Sequence, residues 1–439
     1  MKLTIYHTND IHSHLAEYAR ITEYISEHRP LLNHPSLYLD IGDHVDLSTP
    51  VTEATLGKKN ISLLNEAGCD LVTIGNNEGM TISHDALNAL YEDADFDVTC
   101  ANVFDEQGQL PNRFVSSLIK EVADTRILFV AATAPFTPFY RALDWVVTDP
   151  LEAIKDEVHA HEGDYDVLIV LSHVGVFFDE QLCQELPEID VILGSHTHHY
   201  FERGAVNNGV LMAAAGKYGH YLGEVTLEIE DKKVTDKTAM LHPLETLPEV
   251  ETHFDEEGKT LMNTSVLSKP TYLPRETDVI TRTAYLLAES IYEFSQADAT
   301  IINAGLIVKS IYSDEITEYD IHQMLPHPIN AVRIRLTGDV LKAVIDKSQK
   351  QEYMHEHAQG LGFRGDIFGG YILYNLGFIE SEQRYFINGE EIKDDETYTL
   401  GTVDMYTFGR YFPMLKNQPI EYLLPEFLRD IFKEKLLQL

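Results

Sequence analysis

Five short segments of this chain carry His, Asp and Asn side chains at spacings suited to metal ions: His7-Thr8-Asn9-Asp10-Ile11-His12-Ser13-His14, Gly42-Asp43-His44, Gly75-Asn76-Asn77-Glu78, Ser172-His173 and Gly194-Ser195-His196-Thr197-His198. In an extended segment residues i and i+2 point the same way. Asp10 with His12, and His196 with His198, are therefore expected to present pairs of ligands on one side. Mixed Asp, Asn and His donors suit Zn²⁺, Mn²⁺ or Fe, whereas Ca²⁺ sites use oxygen ligands only. Asp10, His12, Asp43, Asn76, His173, His196 and His198 are too many ligands for one ion. Two ions bridged by a shared carboxylate are the economical arrangement.

Each cluster follows an apolar run that reads as a strand: Leu3–Tyr6, Leu37–Ile41, Leu71–Ile74, Val167–Leu171 and Val191–Leu193. Open α/β sheets collect their ligands at the carboxyl ends of strands. A lone His or a lone Asp in such a place is ordinarily structural, an Asp often being a turn former or helix cap. Five clusters with the same placement reverse that expectation. The glycines at 42, 75 and 194 allow sharp turns or close backbone approach.

The runs are apolar throughout, as in strands buried on both faces, and helix-like stretches such as Leu15–His28 and Ser83–Leu90 lie between them. The first half is accordingly an α/β layered domain, residues 1–243. Pro243 and Pro248 bracket a break, and an acidic segment with a weak apolar stripe reads as a connecting helix over 244–270. Residues 271–439 read as α+β, with helices at Ile280–Phe294 and Val340–Gln351 and strands at Val332–Leu336, Tyr371–Asn375, Arg384–Ile387 and Tyr398–Val403.

The 439 residues are enough for two or three domains, and 44% hydrophobic with 24% charged residues marks a globular chain. A formal net charge of −38 argues against a nucleic-acid polymer or an anionic membrane surface as partner. Cys69, Cys100 and Cys183 are odd in number and widely spaced, so no disulfide framework is expected. The short apolar start is no signal-peptide core, which points to a cytoplasmic protein. Composition leaves the oligomeric state open.

Taken in order, Asp-x-His, Gly-Asp, Gly-Asn, His and Gly-x-His-x-His resemble the calcineurin-like metallophosphoesterase superfamily. The wording HTNDIHSHL and GSHTHH is similar to its 5′-nucleotidase branch, which includes UDP-sugar hydrolases and 2′,3′-cyclic-nucleotide phosphodiesterases. The resemblance implies a four-layer αββα sandwich followed by a smaller α+β substrate-binding domain. It also implies two divalent transition-metal ions, with Asp10, His12, Asp43 and His198 on one, Asp43, Asn76, His173 and His196 on the other, and Asp43 bridging. A metal-bridging hydroxide would attack phosphorus in line, and the substrate would be a small anion, most simply a nucleotide.

The chain departs from the family pattern at Gly75-Asn76-Asn77-Glu78-Gly79-Met80. Asn77 stands where the family has His, and Met80 where it has the Asp that orients that His. Asn donates hydrogen bonds but transfers no proton near neutral pH. His44 and His220 are candidate substitutes, as is His14. In the second half, Ile302-Asn303-Ala304-Gly305 resembles the family's phosphate-side element, although Val308 occupies its arginine position. Asn303, Arg364 and Arg410 are the polar candidates for substrate contact, with Phe368 and Phe408, besides Tyr406, as candidate stacking residues. The leading expectation is a 5′-nucleotidase-type hydrolase. A 2′,3′-cyclic phosphodiesterase or nucleotide-sugar pyrophosphatase is the alternative where the missing His costs less, and a non-catalytic, metal-dependent nucleotide sensor is the third reading.

Overall fold

The computed structural model describes residues 1–358 and 360–439. They divide into two compact units, Met1–Glu257 and Gly258–Leu439.

Strands buried on nearly every residue, such as Val167–His173, build the first unit. A seven-stranded sheet runs in the order Lys233–Pro243, Tyr221–Glu230, Lys2–Thr8, Ser36–Asp40, Leu71–Val72, Asp97–Thr99 and Phe114–Val115. A six-stranded sheet runs Ala205–Asn207, Val210–Ala213, Val191–Gly194, Val167–His173, Thr125–Thr133 and Ser117–Val122. The five ligand-bearing strands are parallel to their sequence-adjacent neighbours, Lys2–Thr8 with Ser36–Asp40 and Val167–His173 with Val191–Gly194 among them. Alternate residues on each strand serve different cores. Leu3, Ile5, Leu37 and Leu39 of one sheet meet Phe129, Ile169, Leu171 and Leu193 of the other. The opposite face of the second sheet, with Leu128, Val130, Leu168 and Ile192, packs on Ile154, Val158 and Leu182 of helices Pro150–Ala160 and Val176–Glu185. Helix Leu15–His28 covers the first sheet's outer face, where the Tyr38 hydroxyl donates to Tyr18 at 3.0 Å. This is the four-layer αββα sandwich. Strands buried on both faces read as continuous apolar runs because neither face sees water.

The second unit is α+β. Its five-stranded sheet runs Tyr371–Tyr374, Ala299–Asn303, Thr397–Val403, Asn330–Thr337 and Ile420–Phe427. Helices Arg282–Ser295, Gly338–Gln349 and Leu428–Leu437 bury their apolar stripes on its core. A two-residue strand, Glu390–Glu391, is hydrogen-bonded to Arg384–Ile387. Helix Phe254–Leu261 falls within the acidic segment between the halves. Among the described residues no helix is long and apolar enough to cross a membrane, and all three cysteines are buried free thiols.

Candidate metal centre

All five strand ends meet. Asp10, His12 and His198 place ligand atoms within 4.8 Å of one another, as do Asp10, Asp43 and His173. Asp10 Oδ1 lies 3.8 Å from His12 Nε2, 3.5 Å from His198 Nε2 and 3.9 Å from His173 Nε2. Asp43 Oδ2 sits between His12 Nε2 at 3.6 Å and His173 Nε2 at 3.4 Å. His196 Nδ1 approaches Asn76 Oδ1 at 2.7 Å, and the His196 backbone N–H donates to Asp10 Oδ2 at 3.1 Å. The seven residues expected to hold metal thus form one continuous set.

The local backbone is not the extended one assumed for Asp-x-His and His-x-His. Asp10, His12, Asp43, His196 and His198 all have left-handed φ, between +47° and +70°. Residues other than glycine rarely adopt this region, and such outliers concentrate where surrounding structure holds a functional group in place. Hydrogen bonds supply that hold. Asp10 N donates to Gly42 O at 3.0 Å and His12 N to Asp43 O at 2.8 Å. The buried Glu78 carboxylate accepts from Asp43 N, Val45 N and Gly75 N at 2.8–3.0 Å, clamping two ligand loops together. Gly75 has a steric role as well: a Cβ there would lie 2.1 Å from Asp43 Oδ1 and 2.5 Å from His173 Cε1.

The electrostatics of the cluster suit a cation. Asp10 Oδ1 and His173 Nε2 are buried and lack a hydrogen-bond partner, a costly state for polar atoms unless something else satisfies them. Burial alone would raise the Asp10 and Asp43 carboxyls. The histidines around them outweigh it and hold both below the usual range. Burial also opposes charge on His173, yet Asp43 and Asp10 push it up to about 10. His196, by contrast, is driven down to about 4 by burial and by His173. Two carboxylates, an amide oxygen and four imidazoles are the donor set that divalent transition metals accept.

One orienting residue had no signal in the sequence. Buried Asp46 places Oδ2 3.2 Å from His12 Nδ1, so an Nδ1–H donated to it leaves Nε2 free for a metal. Asn77 Nδ2 also lies 3.1 Å from that nitrogen. A ring N–H donated to Asp46 cannot also accept from Asn77, whose Nδ2 has Val45 O at 3.3 Å as its other acceptor.

The other candidates are more dispersed. Asn77 is near the cluster, its backbone N–H donating to Asp43 Oδ1 at 2.7 Å. His44 is buried edge-on to Tyr18 and beside Asn60, and burial drives it down to about 3. His220 is exposed, its ring 5.9 Å from Tyr218. In the second unit Asn303 is buried, donating to Phe368 O at 2.6 Å and accepting from the Tyr406 hydroxyl at 2.8 Å. Phe368 is fully buried and stacked on Tyr411 at 4.5 Å. Phe408 is 37% exposed. Arg410 pairs with Glu356, and the Arg364 backbone N–H donates to His327 Nδ1 at 2.9 Å.

Residues 3–200 match the calcineurin-like phosphoesterase model and residues 263–417 the 5′-nucleotidase C-terminal domain model. With this fold and site, the chain belongs to the calcineurin-like phosphoesterases that carry a 5′-nucleotidase C-terminal domain, and it is a phosphoester hydrolase. It is 38% identical to the metallophosphoesterase YunD of Bacillus subtilis, covering 100% of this chain and 99% of that one. It is 26% identical to the trifunctional nucleotide phosphoesterase YfkN of the same organism, over 79% of this chain and 27% of the other. Its fold matches the NAD nucleotidase of Haemophilus influenzae with a TM-score of 0.67 at 16% identity, covering 100% and 96% of the two chains. A 5′-nucleotidase precursor from Thermus thermophilus gives 0.60 at 19% identity, covering 100% and 96%.

Proposed function

We infer that the chain hydrolyses a small phosphoester, most simply a nucleotide, at a dinuclear metal centre. The observation that carries this reading is the convergence of five strand ends on Asp10 Oδ1 and His173 Nε2, two buried polar atoms without partners. Asp10, His12, Asp43 and His198 would hold one ion and Asp43, Asn76, His173 and His196 the other. Two divalent ions held there would acidify a bound water and offset charge on the phosphoryl oxygens. The chain's own part is to fix the ligands: Asp46 orients His12, Ser195 Oγ and Ile41 O hold His173 Nδ1 at 2.7 and 2.6 Å, and Glu78 joins the Asp43 and Gly75 loops. The names of YfkN and the NAD nucleotidase support a nucleotide as substrate.

Asn77 favours a second reading for specificity. Without a proton donor at that position, leaving groups that need protonation lose about 10²–10⁴-fold in rate, so 2′,3′-cyclic nucleotides or nucleotide-sugar diphosphates would be the better substrates. Phosphate release from AMP, 2′,3′-cyclic AMP and UDP-glucose, with Mn²⁺ or EDTA and a helper phosphatase, separates the readings. Turnover of at least one substrate, abolished by EDTA, is expected. Metal-independent turnover would refute the assignment.

A further inference from the structure

The loop Gly216–His220 supplies none of the metal-capable residues, yet it is tied to them. Tyr218 N donates to Asp10 O at 2.7 Å, and Gly216 O accepts from Asn9 Nδ2 at 2.8 Å. Tyr218 itself has φ +59°, a region where a bulky residue is a true outlier. Its half-buried ring is surrounded by imidazoles. It stacks on His14 at 4.1 Å, meets His12 edge-on at 5.6 Å and lies 6.2 Å from His198. Strain of this kind persists only where neighbouring structure over-determines it.

Lys217 adds a charge. Its Nζ stands 4.4 Å from the centroid of the Tyr218 ring, within cation–π range. That contact positions a long, flexible side chain without using its three N–H donors. Among the described residues the ammonium has no carboxylate partner, in a chain with 71 acidic and 33 basic residues. A cation held on the ring that meets His12 and His198, in so acidic a protein, has an electrostatic consequence: it attracts a doubly charged phosphoryl group about twice as strongly as a singly charged one.

We propose that Lys217 and Tyr218 form a substrate-recognition element beside the metal centre, the Tyr218 ring as a wall and the Lys217 ammonium as the cation that selects dianionic phosphomonoesters over monoanionic diesters. This rests on the first reading above, a phosphomonoester hydrolase, and runs against the second, cyclic-diester one. It places the discrimination in the first unit, in a loop outside the ligand set.

The test uses the full chain loaded with Mn²⁺, at a pH where the monoester is fully ionised. kcat and KM are measured for p-nitrophenyl phosphate and bis(p-nitrophenyl) phosphate, and the Kd of inorganic phosphate by calorimetry. Lys217→Met is expected to raise the monoester KM and the phosphate Kd about tenfold, with a much smaller change in kcat. The preference for monoester over diester should fall by a similar factor, and Lys217→Arg should restore most of it. Tyr218→Gly keeps the left-handed backbone accessible, so loss of selectivity there reports the ring rather than the fold. An active wild type whose ester preference is unmoved by Lys217→Met overturns this inference alone. A wild type that hydrolyses neither ester and binds no phosphate overturns the hydrolase reading, and this inference with it.

Discussion

Two polar clusters in this protein look alike in the sequence and differ in the structure. In the first unit, the ligand cluster leaves Asp10 Oδ1 and His173 Nε2 buried without partners and holds five of its residues at left-handed φ. In the second, Asn303 donates to Phe368 O and accepts from Tyr406, while Phe368 stacks on Tyr411. The first arrangement leaves polar atoms that could bind something added to the chain. The second satisfies itself. Other buried polar atoms lack partners too, His7 and Tyr371 among them, so what fits a cation is the gathering of carboxylate and imidazole atoms within 4.8 Å, not one unmatched group.

The contrast is broken most directly at Asp43. Asp43→Ala should lower metal-dependent phosphate release by about 10³-fold while the chain stays folded, as judged by circular dichroism. Retained activity would remove Asp43 from the site.

Two buried histidines sharpen the comparison through pH. His7, on the strand leading to Asp10, has both ring nitrogens unpartnered and is driven down to about 4 by burial. His327 in the second unit donates from Nε2 to Leu306 O at 2.8 Å and accepts from Arg364 N at 2.9 Å, yet burial drives it down to about 3. Above pH 6.5 each is neutral folded or unfolded and contributes no pH dependence. As pH falls from 6.5 towards 4, the unfolded chain takes up the His7 proton that the folded chain refuses. Stability should drop by about 3 kcal/mol from this residue. In urea melts across this range, His7→Leu should remove that part of the acid loss at little cost near neutrality. His327→Leu should cost about 1–3 kcal/mol at neutral pH, because it strands two buried backbone groups. Equal costs for the two variants would contradict the distinction.

Smaller effects come from groups that support each cluster. Asp46→Asn should weaken metal affinity about 10–100-fold, read as a shift in the Mn²⁺ dependence of activity. Tyr406→Phe removes only the hydrogen bond to Asn303 and should cost about 1 kcal/mol in denaturant unfolding, with Mn²⁺ dependence unchanged.

The strands and the seven candidate ligands they carry share a local sequence signal: an apolar run ending in Asp, Asn or His. The extended pairing expected for them does not hold. Asp10 and His12 are presented by left-handed kinks, not by an extended segment, and only the hydrogen bonds from Asp10 and His12 to Gly42 and Asp43 explain those kinks. Asp46 was invisible because its partner, His12, lies 34 residues away in sequence. The second unit was harder to read because an aromatic residue after a strand has the same sequence signature in a core as in a binding slot. Phe368, buried against Tyr411, shows how packing decides between them.

The dinuclear centre is tested most directly by calorimetric titration of Mn²⁺ into chelator-stripped full-length protein, wild type and Asp10→Ala. Asp10 is among the four residues proposed for one of the two ions. Two equivalents per wild-type chain are expected, with that ion's affinity weakened in the variant. A single equivalent, none, or two retained at full affinity without the Asp10 carboxylate would contradict a dinuclear site built on these strand ends.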